Sequence, residues 1–270
     1  MDIQISQASI TFMEVACVIG FAVPVFLLLY FWKKKGATIL PFFVGCLVML
    51  VFAFTLEPIV HQLVLGSPIG ETIRGNVWLY ALYGGLMAAL FEETGRLAAF
   101  KSVLRNRLDN DANALTYGAG HGGFEAIVVL GITMIGNIAI ASMINLEGAD
   151  TLMASYSGEE LAQVEATIQT LAATPAWHFL LGALERLFAL ALQISLSVLV
   201  WFAAKPDGKP ALFAAAFGLH FAVDAITAAL SGLGVPPVAI EGIVGLCTCG
   251  VVWIAFTVWR KHVPAEPKEK

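Results

Sequence analysis

Charge is what this sequence has least of. Only 13% of its 270 residues are Asp, Glu, Lys or Arg, while 59% are hydrophobic; a soluble domain carries about 25% charged residues. The mean hydropathy of +0.82 points the same way, and a water-soluble globule is excluded. The chain has no basic stripe, so nucleic acid is not an expected partner. Cysteine is scarce too: Cys17, Cys46, Cys247 and Cys249 all fall in apolar segments, which suits small buried hydrophobes better than a disulfide framework. The Cys-x-Cys spacing at 247 and 249 is a weak metal signal. There is no H-E-x-x-H, no low-complexity tract, no internal repeat and no linker that would separate two domains. Residues 1–32 lack the positive charges before the apolar run and the A-x-A site after it that mark a cleaved signal, so they read as a retained helix.

What is present is long apolar runs. Segments at roughly 9–32, 39–65, 78–100, 113–145, 177–203, 211–231 and 238–259 reach the length of about 20 residues that spans a bilayer. The expected fold is all-α, a polytopic membrane helical bundle of seven helices, with 1–262 forming one transmembrane domain and 263–270 a disordered tail. Lys33, Lys34, Lys35, Lys101, Arg105, Arg107, Lys205, Lys209, Arg260 and Lys261 fall in alternate connections, and the acidic Glu147, Asp150, Glu159, Glu160 and Glu165 in the others. Basic loops stay cytoplasmic, so the N-terminus is expected outside and the C-terminus inside. The longest polar excursion, 146–176, holds Leu161, Val164, Ile168 and Leu171 at helical spacing. It reads as an amphipathic helix at the outer surface, with Ser157 and Glu160 at capping-box distance.

The few charges inside the spans then stand out. An ionisable group at the bilayer centre costs about 2.5–3.5 kcal/mol on insertion scales, so each needs a partner or a purpose. Counted at 1.5 Å per residue from the basic ends, Glu92 and Glu93 lie about 10–12 Å deep, with His121 and His220 at about 14 Å. Gln193 falls in the same layer by the same count. Glu92 with Arg96, His121 with Glu125, and His220 with Asp224 are each four residues apart and so share a helix face. Asp224 or Glu125 can orient a histidine by taking a ring N–H, Arg96 can neutralise one glutamate, and the other is left as a candidate general base. Glu185/Arg186 read as a structural pair, and Glu241 and His178 as structural too. Gly118, Gly120, Gly122 and Gly123 around His121 would allow a distorted backbone there.

The stretches "FEETGRLAAF", "YGAGHGGFEAI" and "GLHFAVDAI" resemble the YhfC family of intramembrane metalloproteases, within the superfamily of CaaX, bacteriocin-processing and PrsW proteases. The resemblance implies a peptidase in a membrane, bacterial by its relatives, acting on a membrane-associated protein or peptide. Glu92 would match the glutamate that activates water, with Glu93 beside it. His121 would match the histidine of the next helix, and His220 with Asp224 the last element. A histidine is expected by that likeness where Gln193 stands, and only Thr94 and Gly95 separate the glutamates from Arg96.

Two chemistries remain open on these residues. In one, a glutamate is the base and the histidines donate to the oxyanion. In the other, His121 and His220 with Glu93 or Asp224 hold zinc. A proton- or cation-coupled transporter would use the same groups as a relay, and a non-catalytic scaffold or immunity protein would need none of them.

Overall fold

The computed structural model describes residues 3–263, and the described residues form helices joined by short connections. The tail expected at 263–270 lies, from residue 264 on, outside the described residues. Ten helices follow in order: α1 (Gln7–Lys35), α2 (Leu40–Leu65), α3 (Pro68–Arg74), α4 (Val77–Lys101), α5 (Ala112–Glu147), α6 (Ala149–Met153), α7 (Gly158–Ala173), α8 (His178–Ala204), α9 (Pro210–Gly232) and α10 (Pro237–His262). The chain is a polytopic helical bundle. Six of these helices, α1, α2, α5, α8, α9 and α10, are long and apolar enough to cross a membrane. The seventh expected span, α4, has the length at 25 residues but not the apolarity, because it carries Glu92, Glu93, Arg96 and Lys101.

Local chemistry explains where the helices begin and end. Proline opens α3, α9 and α10, where its missing N–H is no loss. Asn76 caps α4, its side-chain oxygen accepting from the Trp78 and Leu79 amides at 2.9 and 3.1 Å. Gly36, at φ +68°, stops α1 just past its lysines, a conformation glycine adopts without a Cβ penalty. Ser157 stands at the start of α7 with extended backbone and makes no side-chain cap bond, so the anticipated capping box does not form. Both α2 and α5 contain a wider π-helical stretch, at Met49–Leu56 and Ile127–Ile132.

The chain divides into two compact units, Met1–Val23 with Ala126–Arg186, and Pro24–Glu125 with Leu187–Lys270. The first is built on Met13, Ala16, Leu130, Ile144, Ile168 and Leu171, so two of the apolar residues of α7 serve its core. Asn145 exchanges a pair of hydrogen bonds with the Ile5 backbone, both 2.8 Å. Glu185 and Arg186 are bonded to each other.

The second unit is centred on Phe100, Tyr117, Leu196, Leu199 and Trp201. The Phe100 ring meets Tyr117 and Trp201 edge-on, with centroids 4.6 and 4.9 Å apart. Trp201 Nε1 donates to Asp111 at 3.0 Å, and Lys205 pairs with the same carboxylate at 2.5 Å, so the end of α8 is tied to the start of α5. The glycines near His121 let helices approach rather than distorting α5, which stays α-helical through Ala126. A Cβ on Gly120 would run into the Phe42 carbonyl, and one on Gly122 would stand 2.8 Å from the Gln193 side chain. The four cysteines are free, Cys249 exposed and the others half-buried.

Candidate active site

Four helices of the second unit each send polar side chains into one buried cluster. Glu92, Glu93 and Arg96 come from α4, His121 from α5, Gln193 from α8, and His220 with Asp224 from α9. Glu92, Glu93, Arg96, His121, Gln193 and His220 are all buried, so their hydrogen bonds decide whether the cluster is tolerable.

The two glutamates are used differently. Glu93 is fully buried and bonded to the equally buried Arg96. The same oxygen, Oε1, lies 2.7 Å from Nδ1 of His220. Glu92 keeps 10% of its side chain exposed. Its Oε2 meets His121 Nε2 at 3.0 Å and accepts from Gln193 Nε2 at 2.7 Å. The orientation of the Gln193 amide follows from its other end: Arg96 donates to Gln193 Oε1, and a guanidinium can only donate. With His121 and Gln193 both on Oε2, Glu92 Oε1 faces His220 Nε2 across 4.0 Å, longer than a hydrogen bond and a span that one water can bridge. His220 Nε2 also lies 3.3 Å from Asp224 Oδ2, and the Asp224 side chain is 35% exposed. Both ring nitrogens of His220 therefore face carboxylate oxygens, while Tyr117 stacks on His121 with centroids 5.8 Å apart.

Spacing in the sequence pairs these residues along helices; the structure pairs most of them across helices. Arg96 takes Glu93, three residues away, rather than Glu92. His121 Nε2 takes Glu92 rather than Glu125, which sits one turn further along α5 and is half-buried. Only His220/Asp224 is made as spaced. Gln193 stands outside the catalytic set drawn from the sequence, although its depth placed it in the same layer, yet it joins Arg96 to Glu92. Tyr117 is absent from that set too; its signal was its place one turn before His121. A second, smaller cluster joins α2 to α4. In it His61 Nε2 is 3.1 Å from Glu57 Oε1, and His61 Nδ1 is 2.9 Å from the Tyr83 hydroxyl.

A metal site in a hydrolase needs about three protein donors around one point. Among the described residues no group of three His, Cys, Asp or Glu side chains is gathered in that way. The donor types are right, two imidazoles with carboxylates, but in this arrangement they are turned toward one another, Arg96 and Gln193. That arrangement does not fit a metal.

Fold and site together define an integral membrane protein, polytopic and helical, with a Glu–His–Arg–Gln network buried among its helices. Residues 19–245 match the family described as "YhfC intramembrane metalloprotease", and the chain belongs to that family. It is 35% identical over 255 residues, 93% of this chain and 96% of the relative, to a Bacillus subtilis (strain 168) protein named "Uncharacterized membrane protein YhfC". No solved structure matches the chain.

Proposed function

We propose that the protein is an intramembrane endopeptidase in which Glu92 is the general base, acting on a membrane-associated protein or peptide. The family description supports a protease. The observation that carries the choice of base is the division of labour between adjacent glutamates. Arg96 and His220 both hold Oε1 of Glu93, whose side chain is fully buried, whereas Glu92 is 10% exposed, with Oε2 held by His121 and Gln193 and Oε1 turned toward a gap of 4.0 Å from His220 Nε2.

In this reading a water bridges Glu92 Oε1 and His220 Nε2. Glu92 takes its proton as the oxygen attacks the scissile carbonyl carbon, and that carbonyl's electron pair moves onto its oxygen. An N–H donor aimed at the developing oxyanion stabilises it; His220 Nε2 fills this role, its one N–H shared between Asp224 Oδ2 at 3.3 Å and the oxyanion, while Glu93 holds Nδ1. Collapse of the tetrahedral intermediate re-forms the carbonyl and breaks the C–N bond, and Glu92 returns the proton to the leaving amine. His121 and Gln193 position Glu92; Arg96 balances the charge of Glu93. Counting α4 as a seventh span and following the positive-inside rule puts this site nearer the cytoplasmic face.

Purified protein in detergent, presented with a library of membrane-segment peptides, tests the reading by mass spectrometry of the products. Wild type is expected to cleave and Glu92→Gln to fail while remaining folded. A chelator arm, with metal analysis of the purified protein, tests the zinc alternative on His121, His220 and Glu93 or Asp224. Cleavage by Glu92→Gln equal to wild type would sink the proposal.

A further inference from the structure

Away from the buried network, the second unit holds two adjoining cavities with opposite character. One, about 780 Å³, is lined by Lys35 at the end of α1, Asp109, Asn110 and Asp111 before α5, and Trp259 and Arg260 at the end of α10. The other, about 260 Å³, is lined by Ile194, Val198, Val252 and Ala255, with Ser195 its one hydroxyl. Leu115, Phe256 and Trp259 belong to both, so a polar mouth opens onto an apolar slot.

The mouth lies where a membrane surface is expected. Lysines end α1, Arg260 and Lys261 end α10, and tryptophan with basic residues at helix ends marks the headgroup level. Its charges are mixed and unequal in availability. Asp111 is taken by Lys205 and Trp201. Lys35, Arg260 and Asp109 have no ion-pair partner among the described residues, and all three are exposed. Arg260 lies over the Phe256 ring, 5.8 Å from its centroid, and Phe256 also lines the slot. Two cations, one carboxylate and an adjoining greasy channel complement an amphiphile whose head carries a phosphate and an ammonium.

We infer that this cavity pair is a binding site for a zwitterionic aminophospholipid, phosphatidylethanolamine in chemical class. Lys35 and Arg260 hold the phosphate, Asp109 holds the ammonium, and an acyl chain lies along Ile194, Val198, Val252 and Phe256. The site goes beyond the proposed peptidase chemistry and does not depend on it.

The test uses the full chain reconstituted in nanodiscs of equal phosphatidylethanolamine and phosphatidylglycerol, then gently extracted, with retained lipid counted by native mass spectrometry. Wild type should retain phosphatidylethanolamine several-fold over the bulk ratio. A basic residue at a membrane surface is worth roughly fivefold, so Lys35→Ala with Arg260→Ala should weaken retention of both lipids by roughly 25-fold. Asp109→Asn should erase the preference for the amine while retaining phosphatidylglycerol. Val252→Trp, which fills the slot and leaves every charge in place, should lower retention as well, with circular dichroism showing an intact fold. Retention at the bulk ratio in wild type, or retention indifferent to Lys35 and Arg260, overturns the assignment. Retention that rises only when residues 264–270 are deleted overturns it too, since the cavity would then belong to the chain's own tail.

Discussion

The two units handle buried polarity in opposite ways. Among the described residues of the first, Ser9 is the only buried polar or charged residue, and its contacts are local, to Ser6. The second buries Glu57, Glu92, Glu93, Arg96, His121, Gln193 and His220. A helix bundle can be held by packing and a few neutral bonds, as the Asn145–Ile5 pair shows in the first unit. Burying so many ionisable groups is costly, and the second unit offsets that cost by pairing Glu57 with His61 on α2 and joining the others in one network across α4, α5, α8 and α9. Stability alone does not call for such a network, since apolar replacements of buried ion pairs are often neutral or better; the proposed hydrolysis would give it a purpose.

The largest effect is expected at Glu92. Glu92→Gln keeps the shape and one side of the bonding to His121 and Gln193, so the melting temperature should hardly move while kcat falls by about 10²- to 10⁴-fold, the worth of a general base. A steady-state cleavage assay beside a thermal melt reads both. At Glu93 the burden shifts to folding: Glu93→Ala leaves the Arg96 guanidinium buried without its counter-charge, which is expected to cost about 3–5 kcal/mol. Reversible unfolding in mixed micelles measures it, and an Arg96→Met change made together with it should recover part of the loss.

Smaller effects sharpen the boundary between packing and chemistry. Gly120→Ala would press a methyl on the Phe42 carbonyl, and overpacking of that kind costs about 1–3 kcal/mol. Because Gly120 adjoins His121, activity should fall along with stability. Asn145→Ala in the first unit removes two bonds to Ile5 and should cost about 1 kcal/mol with cleavage unchanged. A loss of cleavage there beyond what the melt explains would show that the first unit takes part in the reaction.

Much of this architecture is legible in the sequence, because apolar runs of spanning length carry their own signal. The expected run at 9–32 lies within α1, and those at 39–65 and 177–203 lie, but for one residue at the start of each, within α2 and α8. Partner choice within the site is not legible in the same way. Helical spacing says which residues share a face, but a buried charge takes whichever partner the neighbouring helix brings. Thus His121 meets Glu92 from α4 instead of Glu125 on its own helix, and Gln193 bridges Arg96 and Glu92 from 97 and 101 positions away in the sequence. The π-helical stretches of α2 and α5 are equally silent, since they change hydrogen-bond register without changing the apolar pattern. The glycines around His121 were visible, but whether they bend a helix or admit a neighbour depends on what packs there, and Phe42 and Gln193 occupy those places.

The most direct measurement is single-turnover cleavage of one identified membrane-peptide substrate by wild type, Glu92→Gln and Glu93→Gln, each verified as folded, with the chemical step observed by rapid quench. The expected outcome is a collapse of the chemical rate in Glu92→Gln, with Glu93→Gln losing more in stability than in rate for the molecules that remain folded. A chemical step that survives in Glu92→Gln and collapses in folded Glu93→Gln would assign the base to the wrong glutamate.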